Sequence, residues 1–299
     1  MPTTEKLTTS NDPKGRKATD VFRAQYDKAG LTDESAQRLN ENPEFAQGLL
    51  KLIQGCSATN QYAGEVVNSN YTYPKEYKGL KDINQQIKKL GELFGLDTKK
   101  ALEFAKNLPT LPEGAEGWAA IPKVSAVAKK HFAAITDPAQ QYCEVVKMVH
   151  SKLAESRSFY NWRENQITPA QIRQHPRTLS FLEQLETEQE GDIIIIAIQY
   201  GMRHRGKSVR RARETFAGNE FGLGAFAVGC MALVHPERYV RWEELETDCA
   251  GDEFADSAGK AFSYCPSFRF RDGRLRFGAS GASDADEGYG SVSAFVPQT

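Results

Sequence analysis

Apolar positions recur at helical spacing through most of the first two thirds of the chain and at strand spacing near its end. After a polar stretch, helical patterns run from Asp20 to Lys28, Asp33 to Leu39 and Pro43 to Ile53. Thr32 and Asn42 are N-cap residue types and Pro43 suits a first turn. Phe45, Leu49, Leu52 and Ile53 make one apolar stripe, so a small helical module is expected over residues 18–54. Residues 1–17 lack the apolar content that offsets the entropy of ordering and read as a disordered tail. Between 55 and 79 come Ser, Thr, Asn, Gly and four tyrosines without clear period, which reads as a linker.

Residues 80–299 read as one α+β domain. Helical patterns cover Asp82 to Phe94, Thr98 to Asn107, Ser125 to Ile135, Pro138 to Ser156 and Arg177 to Glu190, the last stopped by Gly191. WAAIP is a short strand candidate. DIIIIAIQ, residues 192–199, suits a strand buried on both faces. Val209, Ala212 and Phe216 return to helical spacing. Gly224 to Val234 fits strand or helix equally. FSYCPSFRFR and RLRFGAS form a hairpin through Asp272-Gly273, and 291–296 a final strand. The fold class is α+β: a helical N-terminal region, then a mixed-sheet domain with a C-terminal β-hairpin.

Composition narrows function only a little. Of the 299 residues 40% are apolar and 26% charged, and the net charge of −1 gives no overall bias toward nucleic acid or an anionic membrane. Five widely spaced cysteines (Cys56, Cys143, Cys230, Cys249, Cys265) do not form a disulfide framework and read as buried thiols. With no apolar leader and no run of roughly 20 apolar residues, a cytoplasmic protein without membrane contact is expected.

Chemistry concentrates after the isoleucine strand. Gly201 to Ser208, GMRHRGKS, satisfies the P-loop pattern, in which amides cradle a phosphate, the lysine meets the β and γ oxygens and the serine holds Mg²⁺. Against that reading, only 91 residues follow Ser208 and no later apolar run ends in the required Asp. Arg203, His204, Arg205, Lys207, Arg210 and Arg211, with Ser208 and Arg213, make a basic loop at a helix start. Such a loop suits non-catalytic binding of a phosphate-bearing partner, including nucleic acid, and needs no cofactor. Tyr160, Trp162 and Trp242 offer stacking for single strands, though nothing in the sequence places them beside the loop. Two further readings stand beside it: an atypical P-loop NTPase through Lys207 and Ser208, and an internal or subunit contact, including a homo-oligomer, in which the acidic run 243–256 pairs with the arginines. Ala250-Gly251-Asp252-Glu253-Phe254 lies one residue from the GGDEF signature of diguanylate cyclases but lacks its strand context, and reads as a polar turn. Cys230, His235, Cys249 and Cys265 are zinc-type ligands without a C-x-x-C clamp, so no metal site is assigned.

LPEGAEGWAAIP, YGMRHRGKSVRRARETFA, NEFGLGAFAVG and DCAGDEFA together resemble a group of bacterial proteins met in candidate-phylum genomes, over roughly Tyr73 to Gln298. No activity, substrate, cofactor or fold is established for that group. The resemblance implies a bacterial, cytoplasmic setting and carries over no site residue.

Overall fold

In the computed structural model, which describes residues 9–57 and 60–297, the chain divides into two units, residues 1–58 and 59–299. The first holds three helices, α1 (Pro13–Lys28), α2 (Asp33–Glu41) and α3 (Pro43–Ser57). The Thr32 hydroxyl accepts the Ser35 amide at 3.3 Å and Asn42 Oδ1 accepts that of Glu44 at 2.9 Å, as capping requires. Helix starts at Pro13 rather than after residue 17, because a proline at the first helical position gives up no hydrogen bond. Residues 1–8 of the expected tail lie outside the described residues, as does the side chain of Cys56. No described side chain of residues 9–57 is buried, so these helices enclose no core of their own.

The second unit is α+β. Its helices are α4 (Ile83–Phe94), α5 (Lys99–Phe104), α6 (Val124–His131), α7 (Pro138–Ser156), α8 (Pro176–Glu188), α9 (Val209–Glu214) and α10 (Ala225–Val234). β1 (Gly117–Pro122), β4 (Ile193–Gln199), β11 (Ser293–Phe295) and β5 (Glu220–Gly222) form an antiparallel sheet in the order β1-β4-β11-β5. Every residue of β4 is buried, which accounts for its isoleucines. The segment 224–234 resolves as helix α10. It is apolar all round and buried at every position, and at Gly229 a Cβ would stand 2.4 Å from Val149 Cγ1 of α7.

The other sheet is mixed and has seven strands: β2 (Phe159–Asn161), β3 (Ile172–Gln174), β6 (Glu246–Asp248), β7 (Asp252–Phe254), β8 (Tyr264–Arg271), β9 (Arg274–Gly281) and β10 (Tyr289–Ser291). β2 pairs parallel with β9 and β10 parallel with β6, while the remaining pairings are antiparallel. The β8–β9 turn has positive φ at both Asp272 (51°) and Gly273 (72°), the left-handed pair a two-residue hairpin needs. Phe268, Leu275 and Phe277 point into the core.

Residues 60–79, expected as a linker, belong to the larger unit instead. Val66 bridges to Lys207, the Val67 amide donates to Gly206 O at 2.8 Å, and Tyr77 is buried with its ring edge-on to Tyr200 and His235. Aperiodic spacing conceals this role, because the segment is anchored through single residues and not through a face. Among the described residues no helix is long and apolar enough to cross a membrane.

Candidate functional site

β4 ends at Gln199, and the chain turns through Gly201 (φ 116°) and Gly206 (φ 72°) into α9. A Cβ at Gly206 would stand 2.3 Å from Val67 O, so glycine is required there for close passage as well as for its conformation. The loop does not form a phosphate cradle, because its amides are already committed. Those of Gly201 and Arg203 donate to Gln199 Oε1, Met202 to Tyr73 Oη, Gly206 to Tyr289 O, Lys207 to His204 O and Ser208 to Glu65 O. Helix α9 is six residues long, and its N-terminus is closed by Ser208, whose hydroxyl accepts the Arg211 amide at 3.1 Å.

Two carboxylates organise the cations. Glu65 accepts Ser208 Oγ at 2.6 Å and Arg210 Nε at 2.8 and 2.7 Å, with Arg210 Nη2 completing a forked pair. The Arg210 fork, aided by Ser208, holds the Glu65 carboxyl below its usual range. Ser208, the Mg²⁺ ligand of the P-loop alternative, is therefore buried and doubly engaged. Glu220, fully buried, accepts His204 Nε2 at 2.7 Å, Ser293 Oγ at 2.6 Å and the Ala217 amide at 3.0 Å, with Arg203 Nε 3.4 Å away. Burial alone would raise its pKa, but the His204 contact and the other donors outweigh it and hold the carboxyl low. Lys207 Nζ lies 3.3 Å from His204 Nδ1 and 3.1 Å from Thr215 Oγ1. An ammonium can only donate, so Nδ1 accepts and Nε2 carries the proton that binds Glu220. Burial, with Arg211 and Arg203 nearby, lowers the Lys207 pKa; burial lowers that of His204 as well.

The remaining loop cations are also engaged. Arg205 Nη1 donates to Tyr71 O at 2.9 Å, and Arg211 Nη1 to Asn60 Oδ1 and Glu214, each at 2.7 Å. His204, a candidate for the anion-binding loop, is buried with its ring against Phe216. Within the chain, the carboxylates of the acidic run 243–256 make no ion pair with these arginines among the described residues. Arg213 reaches that run only at the carbonyl oxygens of Ala250 (2.9 Å) and Asp252 (2.6 Å). Asp252 instead lies buried on β7, accepting the Tyr142 hydroxyl at 2.7 and 2.6 Å and the Ala225 amide at 2.7 Å, which ties it to the start of α10. The expected polar turn at 250–254 is a turn at Ala250-Gly251 that leads directly into the short strand β7, in which Asp252 and Phe254 are buried.

Cys143, Cys230, Cys249 and Cys265 are buried free thiols, and among the described residues no group of three His, Cys, Asp or Glu is gathered to hold a metal ion. A pocket of about 490 Å³, lined in part by Lys81, Lys89, Arg157 and Leu233, contains none of the loop residues.

A second cationic surface lies on the β8–β9 hairpin. Phe268, Leu275 and Phe277 face inward, which turns Arg269, Arg271, Arg274 and Arg276 to the opposite face. The register sets Arg269 directly across from Arg276 and Arg271 across from Arg274. Arg276 pairs with Asp272, and Arg269 Nη1 lies 3.4 Å from Tyr289 Oη. Arg271 and Arg274 are exposed and make no hydrogen bond or ion pair among the described residues. The stacking candidates collect here and not at the loop. Arg271 lies 5.2 Å from the Trp242 ring centre and Arg276 5.9 Å from that of Trp162, which in turn meets Tyr160 at 4.7 Å. The signal was present in the sequence as arginine at every second position either side of Asp272-Gly273. Comparison of the chain with protein-family models, with curated proteins and with solved structures gives no match.

Proposed function

We propose that this protein binds a phosphate-bearing partner non-catalytically, through Arg269, Arg271, Arg274 and Arg276 of the β8–β9 hairpin. The observation that supports this reading is the directly opposed pair Arg271 and Arg274, both exposed and neither in an ion pair among the described residues, with Glu246 of β6 near Arg269 and Arg271 offsetting only part of the charge. Like charges directly across a ladder are unfavourable, and a polyanion lying along the hairpin would relieve the repulsion. In this reading the loop cations Arg203, His204, Arg205, Lys207, Arg210 and Arg211, with Ser208, hold segment 60–79 and β5 in place. The commitment of the loop amides argues against an NTPase role for Lys207 and Ser208.

A second reading keeps the anion at the loop. It is favoured by Arg203, whose side chain is 38% exposed, with its Nε 3.4 Å from Glu220 and its guanidinium 5.8 Å from the Phe295 ring centre. Elution from phosphocellulose along a salt gradient separates the two. The hairpin reading expects Arg271→Ala with Arg274→Ala to elute at clearly lower salt than the unaltered protein, and Arg203→Ala to leave elution unchanged. The reverse pattern selects the loop, and an unaltered protein that is not retained refutes both.

A further inference from the structure

We infer that the partner of the hairpin face is single-stranded nucleic acid, its phosphates on the hairpin arginines, foremost the exposed Arg271 and Arg274, and its bases stacked on Tyr160, Trp162 and Trp242. This deepens the proposed function and rests on it. Arginines alone suit any polyanion, and it is the aromatic rings that narrow the class.

Trp242 and Trp162, at 57% and 54% exposure, are the two most exposed large apolar side chains of the larger unit among its described residues, and Tyr160 is 42% exposed. An indole left in water forgoes the gain of burial, and each indole stands beside an arginine of the hairpin, Trp242 beside Arg271 and Trp162 beside Arg276. The strand order explains the placement. β2 carries Tyr160 opposite Arg276 of β9 and leads into Trp162. β9 pairs with β8, which pairs with β6, and Trp242 lies in the chain just before β6. Aromatic rings therefore flank the arginines on both sides. Three inter-strand steps of about 4.8 Å separate β2 from β6, or roughly 15 Å.

Charge and rings together select the ligand. The Arg271 guanidinium, exposed beside the Trp242 indole, supports a cation–π contact and keeps donors for a phosphate, while the open ring face accepts a base of any identity. A duplex presents phosphates but keeps its bases stacked on one another, so it would satisfy the arginines and leave the rings idle. No element of this face reaches out as a helix to enter a groove. Recognition without sequence preference follows, since stacking is open to every base.

The test is equilibrium binding of the full chain to fluorescein-labelled oligothymidylate and oligouridylate of about 15 nucleotides, the upper range for a single small binding module. A duplex of the same length and phosphatidylserine-rich vesicles serve as competing probes, all across a salt series. The inference expects single strands to bind about tenfold or more tighter than duplex, with quenching of indole fluorescence. Trp162→Ala and Trp242→Ala should each weaken single-strand binding roughly tenfold with the salt slope unchanged. Arg271→Ala should reduce that slope by about 0.7. The substituted rings are exposed, so an unchanged thermal midpoint verifies the fold of each variant. Equal binding of single strand and duplex, insensitive to both tryptophans, overturns the single-strand inference and leaves the phosphate surface standing. Binding to vesicles but not to oligonucleotides does the same. Absence of binding to every probe overturns both readings.

Discussion

At the scale of the residue, the most consequential group is Glu220, a carboxylate buried without solvent and kept ionised by His204, Ser293 and the Ala217 amide. Glu220→Gln keeps the shape but turns an amide NH₂ toward groups that are themselves donors. The change should cost about 2–4 kcal/mol, as expected when one partner of a buried polar network is mismatched. Urea denaturation measures it, and a loss under 0.5 kcal/mol would contradict the role assigned to Glu220. Asp252 has the opposite bias: burial raises its carboxyl to about 7, although the Tyr142 hydroxyl and Ala225 amide oppose the rise. In the unfolded chain the same group titrates near 4. Between those values the folded state holds a proton that the unfolded state has released. The contribution of Asp252 therefore falls as pH rises from about 4 to 7, by at most ~1.4 kcal/mol per pH unit. His175 and His235, whose pKa values burial lowers to about 4, act in the other direction below pH 6.5. The diagnostic is thus a difference: Asp252→Asn should gain stability relative to the unaltered protein as pH rises through that window. Parallel stability curves against pH would refute it.

At the scale of the element, the β8–β9 hairpin carries a conflict between folding and binding. Its turn, its inward Phe268, Leu275 and Phe277, and its register favour the hairpin, while the opposed arginines weaken it. Arg274→Glu replaces a repelling cross-strand pair with Arg271 by an attracting one. Thermal stability should rise by the equivalent of about 0.5–1 kcal/mol, while retention on phosphocellulose falls. A variant that is both more stable and equally retained would separate the hairpin from the proposed function. The basic loop shows the reverse economy, since its glycines and cations are consumed by contacts with Glu65, Val67 and Glu220. Its resemblance to a P-loop is one of residue types, because a cradle needs free amides and these are bonded.

At the scale of the whole molecule, the buried apolar side chains among the described residues all belong to 77–296. Residues 59–299 alone should therefore unfold cooperatively, with a midpoint within a few degrees of the full chain. Residues 1–58, lacking a core, should show partial helicity by circular dichroism and no sharp transition. A loss of cooperative unfolding on removing residues 1–58 would contradict this. The sequence by itself determined the α+β class, the caps at Thr32 and Asn42, the isoleucine strand and the Asp272-Gly273 hairpin. Each of these follows from local periodicity or turn chemistry within a few residues. Only the tertiary structure decided that α10 is a helix, because a segment apolar on every side reads the same in either conformation until its neighbours enclose it. Apart from β11, the three-residue strands (β2, β3, β5, β6, β7 and β10) are too short to show a period and exist through their pairing. The same holds for the cations. Sequence shows where arginines lie along the chain, but whether each is spent depends on partners that the fold brings up, some of them far away in sequence, as Glu65 is 145 positions from Arg210. It also took the folded sheet to bring Trp162 and Trp242 to either side of one arginine face, since they are joined by strand order and not by proximity in the chain.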